Sequence, residues 1–202
     1  MRVLIACEFS GIVRDAFIKE GHDAISCDLL PTESKGPHYQ GNVLDIINDG
    51  FDLMVAHPPC TYLTNAGVRH LHEHVMSRNG VRAKIYGKAR MIEMKKSALF
   101  FNKLFNANIN KICVENPIPH KYAREIIGKY TQIIQPWQFG HGETKATCLW
   151  LKGLPNLKPT KIVDGRYPAC HLTPPSKDRW KIRSKTYLGI AQAMAKQWGI
   201  EK

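Results

Sequence analysis

The residues of this chain that could do chemistry stand just past apolar, strand-like runs. Cys60 follows Pro58 and Pro59 directly after the run 53–56 and His57. Proline fixes φ and has no backbone donor, so the pair stops a strand and makes a stiff turn. The thiol is thus presented on a rigid corner, either as a nucleophile or as a small hydrophobe beneath a loop. Glu115, Asn116 and Pro117 end a later run, and Phe9-Ser10-Gly11 makes a glycine turn after the first. Asp28 ends the second run, about 20 positions beyond that turn, where an acid suits ribose hydroxyls of a nucleoside. Asp28 as a turn cap and Phe9 as core are the structural alternatives.

The elements that must position these residues alternate in type. Residues 2–7 and 23–29 read as strands, with Ile12, Val13, Ala16 and Phe17 at helical spacing between them. Residues 43–47 form a short third element, 51–56 a fourth strand and 111–116 a fifth. A helix ahead of the fifth strand uses Met91, Met94, Ala98, Phe101 and Phe105 as its face. Residues 131–137 and 146–153 look like a closing strand pair. A last helix over 187–198 places Ile190, Ala191, Met194, Ala195 and Trp198 on one side. The pattern predicts one α/β domain over 1–202 with a mostly parallel, Rossmann-like sheet, whose strand ends gather the candidate residues on one edge.

Composition limits the partners. With 44% apolar and 23% charged residues among 202, the chain is of ordinary globular type, and no apolar run suits a membrane span. No signal-peptide pattern is visible, so a cytoplasmic protein is expected. Four of the six cysteines, Cys7, Cys27, Cys113 and Cys148, lie in strand-like runs and suit reduced core thiols; Cys60 and Cys170 do not. The net charge of +12 favours polyanions such as nucleic acid. Eight basic residues oppose two acidic ones in 64–96, and the same balance holds in 158–185. A basic loop near 64–87 and a reduced basic segment at 154–185 follow. The histidines at 70, 72 and 74 are read as solvated rather than metal-binding.

In its first 120 residues the chain resembles the cytosine-carbon-5 DNA methyltransferases, and within them the short phage or prophage-type members. Phe9-Ser10-Gly11 matches the family's cofactor turn, Pro58-Pro59-Cys60 its nucleophile loop and Glu115-Asn116 its acidic pair, in the same order. The resemblance implies the S-adenosylmethionine-dependent methyltransferase sheet, with the last helix beside the first. It implies Cys60 and Glu115 as catalytic residues, and Phe9, Ser10, Gly11, Asp28, Asn42 and Pro58 as contacts to S-adenosylmethionine. Asn116, Arg69, His141 and Lys145 would touch the substrate. The thiolate would add to carbon 6 of cytosine while Glu115 hydrogen-bonds or protonates nitrogen 3, making carbon 5 nucleophilic. A cationic sulfonium and neighbouring basic residues would depress the thiol pKa. His57 and Cys60 stand where exocyclic-amine methyltransferases carry an Asp or Asn and an aromatic, which disfavours amine methylation.

The chain also departs from that family. Val13 and Arg14 occupy the glycine-rich region after the turn, and Asn42 stands where an acid usually contacts adenine. Only residues 154–185 fill the interval of the target-recognition domain, and no Gln-x-Arg-x-Arg strand is found. Recognition should therefore be short or promiscuous. Double- or single-stranded DNA is the expected partner; a free cytosine nucleotide or RNA, or nucleic-acid binding without catalysis, are the alternatives.

Overall fold

The computed structural model describes residues 1–72 and 85–200. In chain order the strands are β1 (Arg2–Ala6), β2 (Asp23–Asp28), β3 (His38–Gln40), β4 (Leu53–Ala56), β5 (Lys111–Pro117), β6 (Gln132–Ile134) and β7 (Thr147–Lys152). The helices are α1 (Ile12–Lys19), α2 (Gly87–Phe105), α3 (Lys121–Ile127), α4 (Ala169–Leu172), α5 (Arg179–Ser184) and α6 (Leu188–Trp198).

One sheet runs in the order β3-β2-β1-β4-β5-β7-β6. β1 to β5 are parallel, as expected, but β7 pairs antiparallel with both β5 and β6, so the whole sheet is mixed. The strand order reverses between β1 and β4, and the loops leaving those two strands diverge to open a crevice. Reversal of β7 has a second effect: its first residue, Thr147, pairs with Pro117 at the end of β5. The segment entering β7 therefore joins the edge where the parallel strands end.

Both faces are covered. Val13 and Phe17 of α1 pack with Ala191, Met194 and Trp198 of α6 on one side, so the last helix lies beside the first as expected. On the other, Met94, Ala98, Phe101 and Leu104 of α2 meet Ala123 and Ile127 of α3, and the Phe101 ring sits edge-on to Trp150 at 4.9 Å. Each such fully buried large side chain is worth about 1.5–3 kcal/mol relative to exposure. Val3 to Ala6 and Leu53 to Ala56 are all shut off from solvent, which is why both read as unbroken apolar runs.

Three expectations are corrected. The third strand is His38–Gln40, too short and polar to show a period, whereas the expected element at 43–47 begins as a 3-10 turn because the Asn42 side chain accepts from Leu44 N. Leu104, not Phe105, completes the buried face of α2. The strand at 131–137 stops at Ile134, where Pro136 opens a 3-10 turn. Residues 154–185 contain α4 and α5, neither of which buries a residue, so no apolar period marked them. Of the basic loop at 64–87, Asn65–Leu71 is a 3-10 helix; His74, Arg78, Arg82 and Lys84 lie outside the described residues. No helix among the described residues is long and apolar enough to cross a membrane.

Candidate active site

The crevice is a cleft of about 300 Å³ that brings together Phe9, Ser10, Asp28, Pro58, Cys60, Glu115, Asn116 and Lys145. Every one of these was expected at the site from sequence. Cys7, at the mouth of β1, lies just past its strand and adopts φ 58°, the only non-glycine residue with positive φ among the described residues. Such strain at a strand end next to a cleft is characteristic of binding sites.

Cys60 is half-buried on a corner whose carbonyls are tied down in sequence. Asn116 Nδ2 donates to Pro58 O at 2.9 Å, Arg90 Nη2 to Thr61 O at 3.1 Å, and His120 to Tyr62 O at 2.9 Å. Cys60 O itself accepts from Leu63 N and Thr64 N. His120 Nδ1 accepts the Ala123 amide, so its other nitrogen carries the proton given to Tyr62. The prolines aim the thiol, and α2, β5 and α3 hold the aim.

Glu115 accepts from His57 Nδ1 at 3.0 Å, both side chains being largely shut off from water. Burial pushes the Glu115 carboxyl up, but the His57 hydrogen bond and charge, with Lys145, outweigh it and hold the pKa below its usual value. The thiol behaves oppositely: burial and the neighbouring Glu115 charge raise the Cys60 pKa, while its backbone hydrogen bond, Lys145 and Arg183 pull it down without prevailing. The basic neighbours do pull this thiol down, as expected, but burial and Glu115 leave the net shift upward.

The first turn is organised by Glu8, which sequence reasoning missed. Its carboxylate accepts from Val13 N, Arg14 N and the Ser10 hydroxyl at 2.8, 3.2 and 3.1 Å. The first amides of α1 are thereby occupied by a protein carboxylate, so this helix start does not cradle a phosphate as dinucleotide turns do. Gly11 does not line the cleft; at φ 74° it begins α1, and a Cβ there would meet Ser34 Oγ and the fully buried Arg14. Arg14, out of pattern in the sequence, donates to Ser26, Ser34 and the Pro37 carbonyl and so fixes the loop from β2 to β3.

Three more expected residues lie elsewhere. Asn42 is exposed and its oxygen is engaged as a helix cap, which removes it from the cleft. Arg69 is exposed, beside His70. His141 Nε2 accepts from Gly189 N and its ring packs on Tyr187, capping the start of α6. Asp28 Oδ1 caps the turn through Leu30 N at 2.9 Å, and the residue also lines the cleft. Phe9 likewise is buried and lines the cleft, with its ring 6.1 Å from that of Trp180.

The cleft is polarised. Glu8, Asp28 and the Phe9 and Trp180 rings form one end, Lys145 and Arg183 the other, with Cys60 and Glu115 between them along the strand order. The acidic, aromatic end suits a cationic nucleoside without phosphates; the basic end suits an anion. Among the described residues no group of three or more His, Cys, Asp or Glu could hold a metal ion.

No protein-family model matches the chain, and no curated protein sequence does. Among solved structures, the chain is similar to a prophage-encoded E. coli protein assigned as a DNA modification methyltransferase, with 13% identity and a TM-score of 0.49 over 87% of this chain and 55% of that one. It is also similar to the Entamoeba histolytica methyltransferase EhMeth, with 13% identity and a TM-score of 0.47 over 81% of this chain and 57% of that one. The chain spans a little over half the length of either structure.

Proposed function

We propose that this protein transfers a methyl group from S-adenosylmethionine to carbon 5 of cytosine in DNA. The observation that carries the reading is the braced Pro58-Pro59-Cys60 corner opening on the same cleft as Glu115. The cofactor fits the acidic end: Asp28 suits the ribose hydroxyls, Phe9 and Trp180 offer faces to the adenine, and the Glu8 carboxylate suits the positive charge of the methionine portion. When bound, the cofactor supplies an electrophilic methyl group.

The chain's own residues prepare the base. Cys60 loses its proton to solvent and its Sγ bonds to carbon 6; the displaced π pair passes toward nitrogen 3, which takes up a proton, leaving an enamine whose carbon 5 is nucleophilic. Glu115 faces nitrogen 3 and the 4-amino group. With its pKa held down by His57 and Lys145 it rests ionised and accepts a hydrogen bond from the amine; a base that seals the cleft adds desolvation, which moves the carboxyl toward the protonated form nitrogen 3 requires. After transfer, water takes the carbon-5 proton, and the electron pair left behind re-forms the 5,6 double bond, expelling the thiolate and restoring the aromatic ring. A base in a duplex must first leave the stack to reach Cys60 and Glu115 within the cleft.

The test is transfer of labelled methyl to double-stranded DNA, single-stranded DNA and deoxycytidine monophosphate, with wild type and Cys60→Ala. Label appearing as 5-methylcytosine in DNA and lost in Cys60→Ala is the expected result. Undiminished transfer by Cys60→Ala would remove the mechanism, and transfer to the mononucleotide alone would replace the substrate.

A further inference from the structure

Beside the basic end of the cleft lies a second cavity of about 320 Å³. The two share Lys145, Arg183, Lys185 and Thr186, so little but these side chains separates them. Three of the four are cations.

Their partners differ. Lys145 gives its protons to the Arg183 and Lys185 carbonyls at 2.9 and 3.2 Å, which pins the end of α5 over the strand edge. Lys185 is paired with Glu33 at 2.5 Å. Arg183 has no carboxylate partner among the described residues, and its Nε is closed off from water with no hydrogen bond at all. A buried donor left unpaired costs about 1–3 kcal/mol, a cost that a ligand supplying the missing acceptor removes. The one acid lining the second cavity, Glu143, already accepts from the Tyr187 hydroxyl at 2.5 Å.

We infer that this second cavity is a phosphate site, in which the Arg183 guanidinium receives the phosphate adjoining the cytosine held at Cys60. A guanidinium presents a planar fork that matches two phosphate oxygens, and Lys145 adds charge from the shared wall. A nucleotide whose base enters the cleft from the basic end carries its phosphate toward that wall. The ligand chemistry is a phosphate monoester or diester attached to a cytosine nucleoside; a polynucleotide strand and a free nucleotide both supply it. The inference rests on the proposed function for the identity of the base, but not for the phosphate.

The test is binding of a short fluorescent single-stranded oligonucleotide with one cytosine, compared with the same strand carrying an uncharged methylphosphonate at either linkage flanking that cytosine. Arg183→Gln should weaken binding of the natural strand roughly tenfold and lower the salt dependence by about one phosphate contact. One methylphosphonate should weaken wild type by a similar factor and leave Arg183→Gln unaffected. Additive losses, or no loss from either linkage, would overturn the site. The methylphosphonate arm with wild type alone decides the matter should Arg183→Gln fail to fold. Displacement of the strand by deoxycytidine monophosphate, better than by deoxycytidine and only when Arg183 is present, would show that a free nucleotide supplies the phosphate. Arg183-dependent binding without methyl transfer keeps this site and removes the proposed function; methyl transfer with Arg183-independent binding does the reverse.

Discussion

His57 Nδ1 lies 3.0 Å from Glu115 Oε2, joining the end of β4 to the end of β5 in the cleft that Cys60 also lines. An ionised carboxylate only accepts, so His57 must carry its proton on Nδ1. The pair fixes the orientation of Glu115 and its charge together.

Replacing His57 should raise the Glu115 pKa, because burial would then act with less opposition. In wild type the folded pKa lies below the ordinary 4.5, so the pair's stabilisation is complete above that value and is lost as pH falls through the folded pKa. With His57→Ala a carboxyl raised above its unfolded pKa reverses the sign: stability falls as pH rises through it. Carboxyl-carbon NMR titration of Glu115 and urea unfolding across the acid range read the two effects. An unchanged Glu115 titration would show that His57 is packing only.

Glu115→Gln should make Cys60 more reactive while abolishing methyl transfer. Glu115 is the second cause raising the thiol pKa after burial, and the amide removes its charge. Each unit of pKa changes the thiolate fraction about tenfold below the pKa. Alkylation of Cys60 by iodoacetamide at mildly alkaline pH, followed by peptide mass spectrometry, should speed up in Glu115→Gln and slow in Lys145→Met. Equal rates in all three proteins would mean that the thiol does not feel these charges.

Asn116 tests whether the corner needs its brace. At 1% exposure, its amide supplies Pro58 O with a hydrogen bond. Asn116→Ala should cost about 1–3 kcal/mol, or roughly 2–4 °C in Tm per kcal/mol for a chain of this size. Loss of aim at the thiol should lower kcat up to about 100-fold, with KM for DNA little changed. A fall in stability without a fall in kcat would make the bond purely structural.

How much of this site could be read from the chain follows from where each residue finds its partner. Cys60, Glu115, Asp28 and Phe9 were legible because each stands at the end of its own apolar run, where punctuation by Pro, Asn or Gly is local. His57 was legible as a residue but not as a partner, since Glu115 is 58 positions away. Lys145 comes to the cleft through the reversal of β7, which a closing strand pair allows but does not impose. Trp180 and Arg183 lie in a segment that buries nothing, so no period distinguishes them from a solvated loop. Arg14 and Asn42 misled in opposite directions: the first is a buried tie across the β2–β3 loop, the second a surface cap. Hydrophobic period reports burial of apolar side chains, and neither of these is apolar.

Trp180 gives the cofactor reading a direct optical test. Trp150 and Trp198 are buried, and Trp137 lies under the Arg166 guanidinium at 3.9 Å, whereas Trp180 is 52% exposed at the cleft with the Phe9 ring against it. An adenine stacking on the exposed indole face, beside Phe9, replaces water there. Adding S-adenosylmethionine should change the tryptophan emission of wild type and of Trp137→Phe but not of Trp180→Phe. Phe9→Ala should weaken the binding by a factor of roughly 2–10, the worth of one aromatic face. The two rings touch each other, so the effects of the two substitutions should be less than additive, with Trp180→Phe keeping most of the affinity because it keeps a ring. Unaltered emission on binding that calorimetry detects would place the adenine away from Trp180.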